Sequence, residues 1–107
     1  MPQVIEVTDQ TFDAEVVQSD KLVVAEFYTQ FCPVCKRLSP IFEELSDEYG
    51  GKVKFVRIGA TQARETASKF AVMAVPTILL LKSGKELARH LGFADKKKLA
   101  KLLDANP

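Results

Sequence analysis

The chain has no tryptophan, one histidine and two cysteines, and no apolar run reaches the roughly 20 residues of a membrane-spanning helix. Two cysteines and one histidine fall short of the four ligands of a structural zinc site, which would need carboxylates or a second chain; no metal or other cofactor is expected. Charge of one sign is not in excess either: 15 basic and 14 acidic side chains leave a net charge of +1. No overall field selects nucleic acid, anionic lipid or acidic substrates, so partner choice must come from local shape. The opening MPQVIEVTDQ lacks a cationic lead, an apolar core and a small-residue cleavage site, which suggests a cytoplasmic protein without membrane attachment. Repeats, low-complexity tracts and linkers are missing as well. A chain of 107 residues can bury one core, and residues 1–107 are expected to form one domain.

What is present alternates between strand and helix signals. Val4 to Val7 is β-prone, and Thr8 or Thr11 can cap a helix over roughly Thr11 to Gln18. Leu22 to Tyr28 is a nearly continuous apolar run, as in a strand covered on both faces, and Glu26 violates it. Cys35, Leu38, Phe42, Leu45 and Tyr49 recur at helical spacing up to Gly50-Gly51, with Pro40 inside the helix predicting a kink rather than a stop. Lys52 to Ile58 reads as a strand, and Thr61 can cap a short helix in which Ala63, Ala67 and Phe70 share a face. Thr77 to Leu81 and Glu86 to Leu91 flank Ser83-Gly84, a hairpin signal. Asp95 then caps a helix with Leu99, Leu102 and Leu103 inward and Lys96, Lys97, Lys98 and Lys101 largely wet; those lysines read as a solvated face. The first three strands, joined by crossover helices, should pair in parallel, and the closing hairpin adds antiparallel strands. The expected class is α/β, with a mixed sheet of about five strands flanked by four helices.

Both cysteines lie in FCPVCK, Phe31 to Lys36. In a reducing cytoplasm, a close pair of thiols is catalytic or metal-binding more often than a structural staple. A helix beginning just after Cys32 puts Cys32 at its N-terminus and Cys35 one turn along, within disulfide reach. Unpaired N–H donors and the helix dipole favour the Cys32 thiolate, whereas burial under the first turn favours the neutral thiol of Cys35. Cys32 is therefore the expected nucleophile and Cys35 the resolving thiol. Pro33 fits the first helical position, where its missing N–H costs nothing. His90 alternates with Ala88 and Glu86 in a strand and is expected to face solvent rather than a metal.

These residues resemble the thioredoxin family over essentially the whole chain. The match rests on Phe27, Phe31-Cys32-x-x-Cys35-Lys36, Pro40, Val75-Pro76-Thr77, Gly84, Gly92 and Leu103-Asp104-Ala105-Asn106. The resemblance implies the thioredoxin fold, reduction of protein disulfides through Cys32 and Cys35, and a thioredoxin reductase as electron source. It also implies that Pro76 is cis and faces the cysteine pair, and that the backbone of Val75 pairs with an extended substrate segment. A monomer is expected. Other readings remain open: a glutaredoxin-like, glutathione-coupled reductase, or a dimeric module holding metal or an iron–sulfur cluster on both thiolates.

Departures from the family pattern have physical content. Pro33-Val34 replaces the usual Gly-Pro dipeptide, Phe31 replaces a tryptophan, Glu26 and Arg57 replace aspartate and lysine, and Gly59-Ala60-Thr61 replaces an acidic stretch. Glu26, six residues before Cys32, is either a desolvated proton relay for Cys35, with Arg57 opposing its raised proton affinity, or a glutamate that snorkels out to an ordinary ion pair. Phe31, Val34, Ala60, Ala74, Val75, Pro76, Leu91, Gly92 and Phe93, with Pro33 in the cysteine loop itself, are expected to form an apolar substrate-binding rim. Gly92 should leave room for substrate backbone, and Phe93 is either a contact or a packed loop aromatic.

Overall fold

The computed structural model describes residues 4–106; residues 1–3 and 107 of the expected domain lie outside them. Strand β2 (Leu22–Tyr28) is buried at every position but the last, as its apolar run predicts, and it forms the middle of a five-stranded sheet. Its neighbours are β3 (Val53–Gly59), which is parallel to it, and β4 (Thr77–Lys82), which is antiparallel. The edges are β1 (Val4–Val7), parallel to β3, and β5 (Lys85–Leu91), antiparallel to β4. The spatial order is β1-β3-β2-β4-β5.

Alternation along β2 sends side chains to two cores. Val23, Ala25 and Phe27 join Phe12, Val16, Ala67 and Phe70 on one face, under a π-helical turn (Asp13–Val17) and the short helix α2 (Arg64–Lys69). Leu22 and Val24 join Leu38, Phe42, Leu45, Leu99 and Leu103 on the other, under helices α1 (Pro33–Glu48) and α3 (Lys96–Asp104). The five strands, three α-helices and π-helical turn are the thioredoxin fold, with its mixed sheet between two helical layers. Helix α1 runs unbroken through Pro40, whose exposed position on the outer face spares the core. No helix among the described residues is long and apolar enough to cross a membrane.

Several local expectations are corrected. The first helix is wider and shorter than Thr11 to Gln18, with Gln18 N–H donating to Asp13 O five residues back; Phe12 occupies its N-cap without a side-chain bond. Thr11 instead accepts from the Thr8 N–H at 2.9 Å, closing the turn that precedes it. Thr61 does not cap α2, whose N-cap is Ala63. Its first-turn donors are taken by Asp9, from the loop after β1, which accepts from Thr66 N at 2.9 Å and from Thr66 Oγ1 at 2.6 Å. Strand β3 starts one residue later than expected and extends to Gly59.

The hairpin turns on Ser83 and Gly84 at φ 52° and 81°, the left-handed pair that a two-residue loop between twisted strands requires. Asp95 caps α3, accepting from Lys98 N at 2.8 Å. Lys96 is less free than the other lysines of α3 and pairs with Glu48.

Candidate active site

Residues past Tyr28, at the C-terminal end of β2, leave the sheet and meet the start of α1. Cys32 is the N-cap, with extended φ and ψ of −114° and 103°, and Pro33 fills the first helical position. The sulfur of Cys32 accepts the Cys35 N–H at 3.1 Å, the bond that a capping oxygen would otherwise make. The two Cα atoms are 5.2 Å apart and the side chains form a disulfide, so the bridge fits within one helical turn. Cys32 is 8% exposed and Cys35 1%, which places Cys35 beneath its partner.

The sheet register brings other segments to the same edge. Phe27 pairs with Thr77 and Thr77 with Leu91, so Val75-Pro76 and Gly92 sit just beyond the strand ends beside the cysteine loop. The Val75-Pro76 peptide is cis. Thr77 Oγ1 donates to Ala74 O at 2.6 Å, and Gly92 N donates to Pro76 O at 2.8 Å, fixing this loop from both sides. Gly92 has φ 86°, and a Cβ there would meet nothing within 4 Å. Backbone conformation, rather than crowding, calls for glycine at that position.

Of the expected rim, Phe31 is 86% exposed, Leu91 65% and Phe93 38%, while Pro33 and Ala74 are exposed and Val34, Val75, Ala60 and Gly92 are half-buried. Pro76 is buried, which corrects its place on the surface of the rim; it lies within the Ala74–Thr77 segment that the Thr77 and Gly92 hydrogen bonds brace. Phe93 is packed in part, with the Arg37 guanidinium carbon 4.9 Å from its ring centroid, while over a third of the residue stays open. Met73, 92% exposed and two residues before Val75, was missed from sequence, because an apolar residue carries no mark of pointing outward. His90 is half-buried rather than fully solvent-facing, with Nε2 3.0 Å from Phe93 O.

Glu26 lies on the face of β2 that carries Leu22 and Val24, the side covered by α1, and it is completely buried. It therefore does not snorkel to water. Arg57, its register partner on β3, brings Nε to 3.5 Å from Oε1, and neither carboxylate oxygen nor that Nε has a hydrogen-bond partner among the described residues. Attraction without a hydrogen bond only partly offsets burial. Desolvation pushes the Glu26 carboxyl up to about 7, Arg57 pulls it down, and Glu6 on β1 adds a smaller upward push. Two further residues shape this corner and carry no sequence signal. Tyr28 Oη donates to Glu6 Oε2 at 2.7 Å, and its ring lies 4.2 Å from the Arg57 guanidinium carbon.

Two sulfurs that close on each other within one helical turn, one at the helix mouth and one sealed below it, can cycle between bridge and dithiol, and the chain is a thiol–disulfide oxidoreductase. Residues 3–105 match the family model described as Thioredoxin. The chain is 40% identical over 101 residues to the thioredoxin of Bacillus subtilis (strain 168), covering 94% of this chain and 95% of that one. It is 37% identical over 103 residues to thioredoxin C-2 of Corynebacterium nephridii, covering 96% and 95%. Thioredoxin 2 of Chlorobaculum tepidum is 35% identical over 99 residues, covering 92% and 91%. The chain belongs to the thioredoxin family and is a protein disulfide reductase.

Proposed function

We propose that Cys32 is the nucleophile and Cys35 the resolving thiol. The Cys32 thiolate attacks one sulfur of a substrate disulfide, forming a mixed disulfide and expelling the other sulfur as a thiolate. Cys35 gives up its proton and attacks the Cys32 sulfur, which releases the second substrate thiolate. The substrate gains two electrons and the enzyme is left as the bridged form. The observation that carries this assignment is the Cys35 N–H aimed at the Cys32 sulfur at the mouth of a 16-residue helix, with Cys35 itself buried.

Glu26 receives the Cys35 proton in this scheme. Its support is a carboxyl held near 7 by burial, on the sheet face that α1 covers, with Arg57 too distant to fix it as an anion by hydrogen bonding. Substrate docks on Phe31, Pro33, Val34, Met73, Ala74, Leu91 and Phe93, with the Val75 backbone offered as a strand edge above the buried Pro76. Gly92 braces that edge through Pro76 O.

The Pro33-Val34 dipeptide makes the protein a weaker reductant than relatives with Gly-Pro. An N-cap side chain accepts from the second or third helical N–H. Proline at the first position leaves both the Val34 and Cys35 amides free to stabilise the Cys32 thiolate, whereas Gly-Pro replaces the second amide with a proline nitrogen. Stabilising the reduced form raises the potential.

The unit is a cytoplasmic monomer, one domain spanning 1–107, that is re-reduced by a thioredoxin reductase. Insulin reduction with thioredoxin reductase and NADPH, run beside glutathione with glutathione reductase, tests this. Turnover is expected with the first system, and turnover with glutathione alone would favour the glutaredoxin-like reading instead.

A further inference from the structure

The polar corner around Glu26 extends beyond the two residues that the relay uses. Arg57 stands between two carboxylates in the sheet, paired in register with Glu6 on one side and Glu26 on the other. Tyr28 lies two residues beyond Glu26 on the same face of β2. Its hydroxyl is tied to Glu6 on β1, and its ring covers the Arg57 guanidinium. A buried carboxylate with two unpartnered oxygens, beside an arginine with an unpartnered Nε, would gain by closing into a hydrogen-bonded pair, since unpaired buried polar groups are costly. The pair nevertheless stays at 3.5 Å. The Arg57 guanidinium carbon lies 4.2 Å over the Tyr28 ring centroid, and attraction to the ring quadrupole opposes its movement toward Glu26.

We propose that Tyr28, tethered by Glu6, is a positioning residue that holds Arg57 beside Glu26 and keeps the two from closing into a hydrogen-bonded ion pair. Its catalytic meaning rests on the relay reading of Glu26, while the geometric claim stands apart from it. The charged groups that act on Glu26 are Arg57 on β3 and Glu6 on β1. Tyr28 on β2 is itself held protonated, pushed up to about 12 by burial and by its bond to Glu6. From β4 the register neighbour is Ile78, and the inward residues of α1 are Cys35, Leu38, Phe42, Leu45 and Ser46, so no further charge reaches Glu26 from these two elements.

Protein carrying carbon-13 at its glutamate carboxyls, titrated from pH 4 to 9 by NMR, tests the clamp in wild type, Tyr28→Phe and Tyr28→Leu. Tyr28→Leu removes the ring and lets Arg57 close on Glu26, and the Glu26 midpoint is expected to fall by about one pH unit, a tenfold loss of proton affinity. Tyr28→Phe keeps the stack but loses the tether, so its midpoint should fall by less. A Tyr28→Leu midpoint equal to or above that of wild type overturns the proposal. If that variant does not fold, an unchanged midpoint in Tyr28→Phe does the same. Resolution of a mixed disulfide, timed separately in Glu26→Gln, distinguishes the two claims: a wild-type rate there removes the relay and leaves the clamp to the carboxyl titration.

Discussion

Replacing Glu26 with glutamine should make the protein more stable relative to wild type as pH rises. The carboxyl titrates near 4.5 in the unfolded chain and near 7 in the folded one, so folding disfavours the ionised form. Below 4.5 both states hold the proton and the group contributes nothing. Between 4.5 and 7 the unfolded chain ionises while the folded one does not, and above 7 the full cost is present. At 1.36 kcal/mol per unit, that cost is about 3 kcal/mol. Glutamine keeps the shape and removes the titration, adding only the pH-independent cost of a buried amide. Urea melts of both oxidised proteins at intervals from pH 4 to 8.5 give the difference in unfolding free energy, in which other titrating groups largely cancel. The difference should move by about 3 kcal/mol in favour of the variant across that range. A flat difference would mean that Glu26 ionises as readily folded as unfolded, and burial would no longer explain the site.

Three other outcomes follow from the same structure. Equilibration with glutathione or dithiothreitol should place the potential of the Cys32/Cys35 couple about 30 mV or more above Gly-Pro relatives, the equivalent of one charge-assisted amide bond of about 1.5 kcal/mol; a potential equal to theirs would remove the role given to Val34. Asp9→Ala should destabilise the fold. Its hydrogen bonds to Thr66 hold the Asp9 carboxyl below its ordinary value, so the loss should be full at neutral pH and fade as acid protonates wild type through that lowered value, a trend that acid-series thermal melts would follow. Phe31→Ala and Met73→Ala should each cut kcat/KM for a protein disulfide several-fold through KM while leaving reduction of a small aromatic disulfide intact; equal loss on both substrates would remove the rim from substrate binding.

Much of this was legible in the sequence because the signals were local. The apolar run of β2, the Ser83-Gly84 turn, the Asp95 cap and the cysteine spacing each depend on a few adjacent residues, and each stands in the structure where it was expected. The misses were non-local. Thr61 was the nearest capping residue to α2, but Asp9 reaches those amides across more than fifty positions of sequence. Glu26 stood out as a charge in an apolar strand, whereas its surroundings, Glu6 across the sheet and Tyr28 beyond it, depend on strand order β1-β3-β2. The exposure of Met73 and the burial of Pro76 are likewise set by how one loop folds over the sheet edge.

The proposed division of labour between the two sulfurs is tested directly by alkylating the reduced protein with iodoacetamide at pH 7 and reading each site by mass spectrometry. The structure predicts rapid modification of Cys32, with Cys35 modified at least tenfold more slowly while the fold is intact. Equal and slow labelling of the two would contradict it.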